Sequence, residues 1–517
     1  MSNRSSDHRH PDPGAHAGES VSLWMDTADV PVFPALDQDR EADVCVVGAG
    51  IAGLSAAYHL AQEGLSVIVL DDGPIGGGQS ERTTAHITHV LDDRYMQIEK
   101  EHGEEKAALA AESHTEAIET IARIVREEKI DCAFERVDGY LFLGPDDDED
   151  LLKQELDAAQ RAGLTDARRA ERAPLPSFET GPCLRFPNQA QFHIRRYLSG
   201  LAKAAEKHGA RICTGTHVSD IHGGAPATVR TSAEQTVTCK HVVIATNAPI
   251  HDSLAVYTRQ APYLTYVIGL ALPAHAVPRA LYWDTQDPYH YVRVADGPQK
   301  GRDVLVVGGE DHKTGQQNDA GLRFARLEAW TRQRFPECGE VLYRWSGQVM
   351  EPSDGMALIG RNPLDKDNVY IATGDSGNGM THGTIAGLLL TDLICRRENP
   401  WEALYSPSRI RLRALGEFAK ENANVAGQYT DLLKPASGNE ELQPCCGRVI
   451  QDGIHKIALY KDETGTEHRM SAICPHKGCV VRWNSFEKTW DCPCHGSRYA
   501  AQGQVINGPS IADLKRL

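Results

Sequence analysis

Residues 43–72, DVCVVGAGIAGLSAAYHLAQEGLSVIVLDD, hold a short apolar run, glycines at 48, 50 and 53, an alanine-rich stretch, and a second apolar run ending at Asp71. That order predicts strand, tight turn, helix and strand, the opening of a dinucleotide-binding α/β unit. Each glycine has its own task there. Gly48 permits the turn, Gly50 lets the backbone approach a pyrophosphate, and Gly53 lets the helix close on the strand. The phosphates then meet a helix N-terminus, where free amides and the helix dipole attract negative charge. Asp71 closes the second strand, where its carboxylate can accept hydrogen bonds from ribose hydroxyls.

The remaining chain has to build around this unit. Its 517 residues exceed what one core usually holds, which predicts two or three domains. A formal net charge of −17 argues against a nucleic-acid partner, because phosphate neutralisation needs a basic surface. The first 20 residues are polar, lack the apolar core of a secretory signal, and read as a disordered tail. No run of 18 apolar residues occurs, so no membrane span is expected and the chain reads as cytoplasmic.

Further along, residues 98–175 are charged and helical in pattern, 194–209 form another amphipathic helix, and HVVIATNAP (241–249) returns to a buried strand. Strand-like pieces between 255 and 310 predict an inserted antiparallel sheet facing a substrate. NVYIATGDSGNGMTHGTIAGLLLTDLI (368–394) is again strand, glycine-rich turn and helix, with Gly374, Gly377, Gly379 and Gly383. A helical connector spans 405–434, and the polar LKPASGNEELQP (433–444) reads as a linker.

One N-terminal fingerprint plus a later glycine-rich return fits a flavin protein, and several stretches carry the likeness. NQAQFHIRRYLSGLA (188–202), VVIATNAP (242–249), WSGQVMEPSDGMALIG (345–360) and ATGDSGNGMTHGTIAG (372–387) resemble the D-amino-acid oxidase and glycine oxidase superfamily of FAD enzymes, over residues 40–398. The resemblance implies that SERTTAHITH (80–89) lies near the flavin through Thr83, Thr84 and His86, with His86 a candidate for a covalent flavin link. It also implies that Asp354–Gly355, Gly360, Gly374 and Gly379–Met380–Thr381 run along the cofactor. For the substrate, DPYHYVRV (287–294) offers Tyr291 and Arg293 on one strand face as amine and carboxylate contacts, with His290 turned away. Tyr266, Trp345 and His382 are further candidates.

Near the end, AICPHKGCVVRWNSFEKTWDCPCHGSRY (472–499) concentrates four of the 13 cysteines. Cys474-Pro-His476, fifteen residues, then Cys492-Pro-Cys494-His495 gives two thiolates and two imidazoles, a set that also suits zinc. The stretch resembles the Rieske 2Fe-2S proteins, and residues 440–517 match that family throughout. By this resemblance Cys474 and Cys492 bind one iron, His476 and His495 bind the other, and Cys479 and Cys494 form a disulfide between the two loops. Two neutral imidazoles in place of thiolates raise the reduction potential. The likeness also places the Ser497 and Tyr499 hydroxyls as hydrogen-bond donors to the cluster and Gly508–Pro509 in the loop that shields it. Cys445 and Cys446 have no place in the ligand set.

The resulting division is a tail and lead-in (1–40), an FAD-dependent oxidoreductase (41–398), a helical connector (399–439) and an all-β Rieske domain (440–517). Within the oxidoreductase, FAD-binding segments fall at 41–95, 176–250 and 346–398, and substrate segments at 96–175 and 251–345. The expected fold is therefore a Rossmann-type α/β domain with an inserted antiparallel sheet, followed by a small β domain. The expected activity is a dehydrogenase that oxidises the C–N bond of a small amine or amino acid and passes electrons singly to an external protein or quinone. Two alternatives stand beside it: electron flow from a carrier through the cluster to FAD, and a redox sensor without turnover. A Rieske oxygenase needs a mononuclear iron triad, and no D-x2-H-x4-H pattern occurs. An NAD(P)H-dependent reductase would carry a second complete fingerprint, and none is present.

Overall fold

A computed structural model of the chain describes residues 17–251, 254–409, 415–432, 434 and 441–517. The region expected as a tail lies outside these residues up to position 16, and most of the expected linker (433 and 435–440) lies outside them too.

The first sheet runs Leu358–Arg361, Val369–Thr373, Thr236–Ile244, Arg40–Val47, Val67–Leu70, Arg211–Cys213. Arg40–Val47 pairs in parallel with both Val67–Leu70 and Thr236–Ile244, and the latter pairs in parallel with Val369–Thr373. Parallel strands covered on both faces bury both sets of side chains, which is why Val67–Leu70 and Val369–Thr373 are buried throughout. Ile51–Gln62 follows the glycine turn as predicted, and Gly379–Ile394 packs beside it.

The second sheet has nine strands in the order Val341–Pro352, Gln260–Pro273, Arg302–Lys313, Tyr291–Asp296, Leu281–Asp284, Glu135–Phe142, Cys183–Gln191, His86–Ile87, with Arg168–Ala170 beside Cys183–Gln191. It is mostly antiparallel, but Leu281–Asp284 runs parallel to Glu135–Phe142, a pairing across a long chain separation that no local pattern announces. Cys183–Gln191, assigned to the nucleotide segments by sequence, pairs in this sheet. Val341–Pro352 is its edge strand and reaches back to the cofactor side.

The C-terminal region carries a three-stranded sheet (Cys446–Asp452, His455–Lys461, Glu467–Ser471) and a four-stranded one (Arg482–Asn484, Thr489–Asp491, Arg498–Ala500, Val505–Asn507). The turn at 462–466 forms as the sequence indicates, with Asp462 Oδ1 accepting from the amides of Thr464 and Thr466. Trp490, Tyr499 and the cysteines of the quoted stretch fill a core of their own.

Residues 17–22 are tied down, contrary to the tail reading, by one buried acid. Glu487 accepts from Ser20 N, Ser20 Oγ, Arg82 Nη1 and Ser346 Oγ, and Arg82 also donates to the carbonyls of Gly18, Ser20 and Ser346. The Arg82–Glu487 pair is sealed from water at 1% and 0% exposure, so the C-terminal unit is anchored to the flavin-type fold by a charge pair whose members are otherwise costly to bury.

Candidate functional site

One long cavity is lined by Gly48, Gly50 and Asp71, by Ser80, Arg82, Thr83, Thr84 and Thr246, and by Gly374, Gly377, Gly379, Gly383 and Tyr291. At its nucleotide end Gly48 has φ +106°, and a Cβ there would lie 2.4 Å from the Ala245 carbonyl oxygen. A Cβ on Gly53 would lie 1.8 Å from the Gly48 carbonyl oxygen, so both positions exclude any other residue. Asp71 Oδ2 accepts from Ala49 N at 2.5 Å and Oδ1 from Gly73 N at 2.8 Å. Burial, with Asp72 adding to it, pushes the Asp71 carboxyl up to about 7. A tight turn, a helix N-terminus and a strand-end acid on one elongated cavity fit FAD.

Thr83, Thr84, His86, Gly374, Gly379, Met380 and Tyr291 all line this cavity, as does His382. His86 Nδ1 shares a 2.9 Å hydrogen bond with Thr84 Oγ1, while its Nε2 is buried without a hydrogen-bond partner among the described residues. Burial pulls the His86 imidazole down to about 3, so the ring is neutral at ordinary pH. Trp283 and Tyr291 stand beside it, with ring centroids 5.8 and 5.9 Å away.

Other sequence candidates do not reach the cavity. Thr381 turns to the helix Glu104–Glu127, where its Oγ1 meets His114 Nδ1 at 2.8 Å. Arg293 shares the face of Tyr291, yet its Nη1 donates to the carbonyls of Thr84, Ala85 and Phe192, and the guanidinium sits over Trp24. It lines a separate cavity with Trp24 and Arg196. His290 does face away as expected, bound to Asp284 and stacked on Trp330. Asp354 is held by Arg409, and Gly355 and Gly360 pack on Asp93 and Pro407. Tyr266 lies among Phe324 and His312, and Trp345 donates to the Arg82 carbonyl. Each of these expectations rests on strand face or motif likeness, and neither says how far along the face a cavity extends.

At the second centre the Cys474 and Cys492 thiols hydrogen-bond one another, and Cys474 Sγ lies 3.1 Å from Tyr499 Oη. The Cys492 contact first, then the Tyr499 and Ser497 hydroxyls, draw the Cys474 thiol down to about 6 against its burial. The rings of His476 and His495 meet edge to face at 5.1 Å. Cys479 and Cys494 are disulfide-bonded, with Cα atoms 6.5 Å apart. They lie within 4.8 Å of Cys492 but are consumed in that bond, which leaves two thiols and two imidazoles, the donor set of a Rieske cluster. Cys445 and Cys446 stand apart as free, partly exposed thiols.

The two centres meet. Tyr257 packs its ring on His476 at 4.7 Å and on His495 at 5.6 Å. Residues 505–508 and Ser510, from the segment around Gly508–Pro509, line the flavin-side cavity itself. Gln348, buried on that cavity wall, donates to the Gly496 carbonyl at 2.9 Å and accepts from Asn507 Nδ2 at 2.5 Å.

Beyond the Asp71–Asp72 pair at the nucleotide end, four carboxylic acids on the wall escaped the sequence reading: Asp92, Asp311, Glu351 and Asp375. They come from separate segments, so no local spacing could link them. Tyr289, which donates to Asp92, is the missed neighbour of Tyr291.

Comparison with known proteins agrees with this architecture. The family described as FAD dependent oxidoreductase (DAO) matches residues 43–393, and the Rieske [2Fe-2S] domain matches 438–517. The Bacillus subtilis (strain 168) protein YhfW, whose name describes a Rieske 2Fe-2S iron-sulfur protein, is 31% identical over 96% of this chain and 97% of its own length. The gamma-glutamylputrescine oxidoreductase of Escherichia coli (strain K12) is 30% identical over 70% of this chain and 85% of its own. Glycine oxidase from Geobacillus kaustophilus shares the fold, with a TM-score of 0.61 at 19% identity over 72% of this chain and 99% of that one. Among the described residues no helix is long and apolar enough to cross a membrane. The chain therefore belongs to the FAD dependent oxidoreductase family, as a redox enzyme joined to a Rieske [2Fe-2S] domain.

Proposed function

We propose that the protein is a dehydrogenase that oxidises the C–N bond of a small amine or amino acid and delivers the electrons one at a time, by way of its Rieske domain, to an external protein or quinone. Bound FAD supplies two-electron acceptance from the C–N bond, and a Rieske cluster supplies one-electron transfer. In this reading Gly48, Gly50, Gly53, Asp71, Thr83, Thr84, His86, Gly374, Gly379 and Met380 hold the flavin. Cys474, Cys492, His476 and His495 hold the irons, and the Tyr499 hydroxyl beside Cys474 raises the cluster's potential. The name of the Escherichia coli relative, an amine oxidoreductase by its words, agrees with an amine as substrate.

The observation that carries the reading is the shared wall: the loop at 505–510 lines the same cavity as the glycine turn, and Tyr257 bridges to both cluster histidines. The protein thus keeps a one-electron exit against its two-electron site. Anaerobic addition of an amine panel to the holoprotein is the test. Some amine should bleach the flavin, and a Cys492→Ser chain should still bleach yet no longer reduce a one-electron acceptor. Bleaching by reduced ferredoxin but by no amine would reverse the direction of flow and end the proposal.

A further inference from the structure

The flavin-side cavity has a charge that an amino-acid site would not need. Its substrate end is walled by residues of the inserted sheet, and Asp92, Asp311, Glu351 and Asp375 face it together. Among the described residues Arg82 is the one arginine or lysine on the lining; its Nη1 and Nη2 are committed to Glu487, Ser20 Oγ and three carbonyls, and the buried Glu487 balances its charge. Arg293, the carboxylate clamp suggested by sequence, lines another cavity, where its Nη1 donates to three backbone carbonyls and its guanidinium sits over Trp24. A substrate carboxylate would therefore enter among four acids with no lysine or uncommitted arginine of the described wall to meet it.

A cation finds the reverse. Among the described residues Asp311 Oδ1 is buried with no hydrogen-bond partner although the Thr265 hydroxyl serves the same carboxylate, and the Asp92 carboxylate has the Tyr289 hydroxyl as its one donor. A buried acceptor left without a donor costs free energy that an N–H group recovers. Independently of the acids, Trp283, Tyr289 and Tyr291 wall the same end, and aromatic faces attract ammonium groups. Glu351 and Asp375 are partly satisfied, by Ser376 Oγ at 2.7 Å and Met350 N at 3.4 Å, and burial with the neighbouring Asp93 holds the Glu351 carboxyl well above its ordinary range, so the charge that meets an ammonium falls to Asp92 and Asp311.

We propose that this end of the cavity selects an amine that carries a second positive charge and no carboxylate, a diamine or polyamine, held by Asp92 and Asp311 against the aromatic wall. The inference rests on the amine-oxidising reading above and names its substrate class.

The test uses the FAD-loaded full chain under anaerobic conditions. Dissociation constants are measured by calorimetry for 1,4-diaminobutane, for ornithine as its carboxylated counterpart, and for butylamine, and flavin bleaching is followed in the same samples. The diamine should bind at least about tenfold more tightly than either, the difference expected of a single ion pair in a shielded site. Asp92→Asn and Asp311→Asn, each with FAD content as the check on folding, should each erase most of that preference. Equal affinity for ornithine or butylamine overturns the inference and leaves an amine dehydrogenase standing, as does a preference that survives both variants. Tight diamine binding without bleaching by any amine keeps the selectivity and overturns the dehydrogenase. No binding of the diamine at all overturns the inference whatever bleaches the flavin.

Discussion

At the scale of the residue, the cavity acids are held where they are electrostatically expensive. Burial pushes Asp92 up to about 7, with the Tyr289 hydroxyl opposing and the neighbouring Asp93 and Asp311 adding to it. Asp311 and Asp375 are each pushed up to about 6, again by burial first. A carboxyl raised in the folded state binds its proton more tightly there than in the unfolded chain. It therefore costs stability as pH rises from its ordinary range near 4 through the folded value. For Asp92 the difference between 3.8 and about 7 corresponds to at most ~4 kcal/mol, fully felt only above pH 7. Asp92→Asn removes the ionisation. Denaturant unfolding of the two proteins should then show the variant gaining on the parent from pH 4 to pH 7 and levelling off above it. A stability difference that stays flat across that range would mean that Asp92 is not strained. Such strain at a cavity wall is what a site does when it keeps charge ready for a ligand.

Elements set which of these residues meet, and here the loops of the C-terminal domain give the sharper case. The ligand loops at 474–479 and 492–497 are short, half irregular, and joined by the Cys479–Cys494 bond across a separation of 15 residues. A link closing such a loop is worth ~3 kcal/mol in the chain-entropy account. Replacing both cysteines by serine should leave FAD binding unchanged but release iron at lower urea, read as iron per flavin after gel filtration. Equal iron retention would show that the two loops stand without the brace. These loops were legible in sequence because all their ligands lie within one stretch of chain. The glycine turn was legible for the same reason, its strand, turn and helix being consecutive. The inserted sheet was legible only in its strands between 255 and 310: its other members come from as far away as positions 86 and 352, and its parallel pair has no local signature. Tyr291 and Arg293 illustrate the limit. Two residues along a strand share a face but stand ~7 Å apart, enough to put one in the cavity and the other behind it.

For the whole molecule, what matters is that the two redox centres are welded rather than tethered. The Arg82–Glu487 pair is buried, Arg482 reaches the Gly315 carbonyl, Ser485 binds Asn318, and Gln348 ties the cavity wall to both Gly496 and Asn507. Breaking one half of a buried ion pair alone costs ~3–5 kcal/mol, so a swing of the Rieske domain would have to overcome several such contacts at once. Passage of an electron from flavin site to cluster should then need no domain movement. In a rapid-mixing experiment with a reducing amine, the rate at which the cluster follows the flavin should be the same in buffer and in viscous sucrose. A rate that falls in proportion to viscosity would show that the docked arrangement is one of two, and that the domain travels. Exit to the outside acceptor is a separate matter of surface. Tyr257 packs on both cluster histidines and the His476 ring nitrogens are buried, so this interface seals the inward edge of the cluster, while solvent reaches the ligand loop at the exposed Pro475 and the half-buried Lys477.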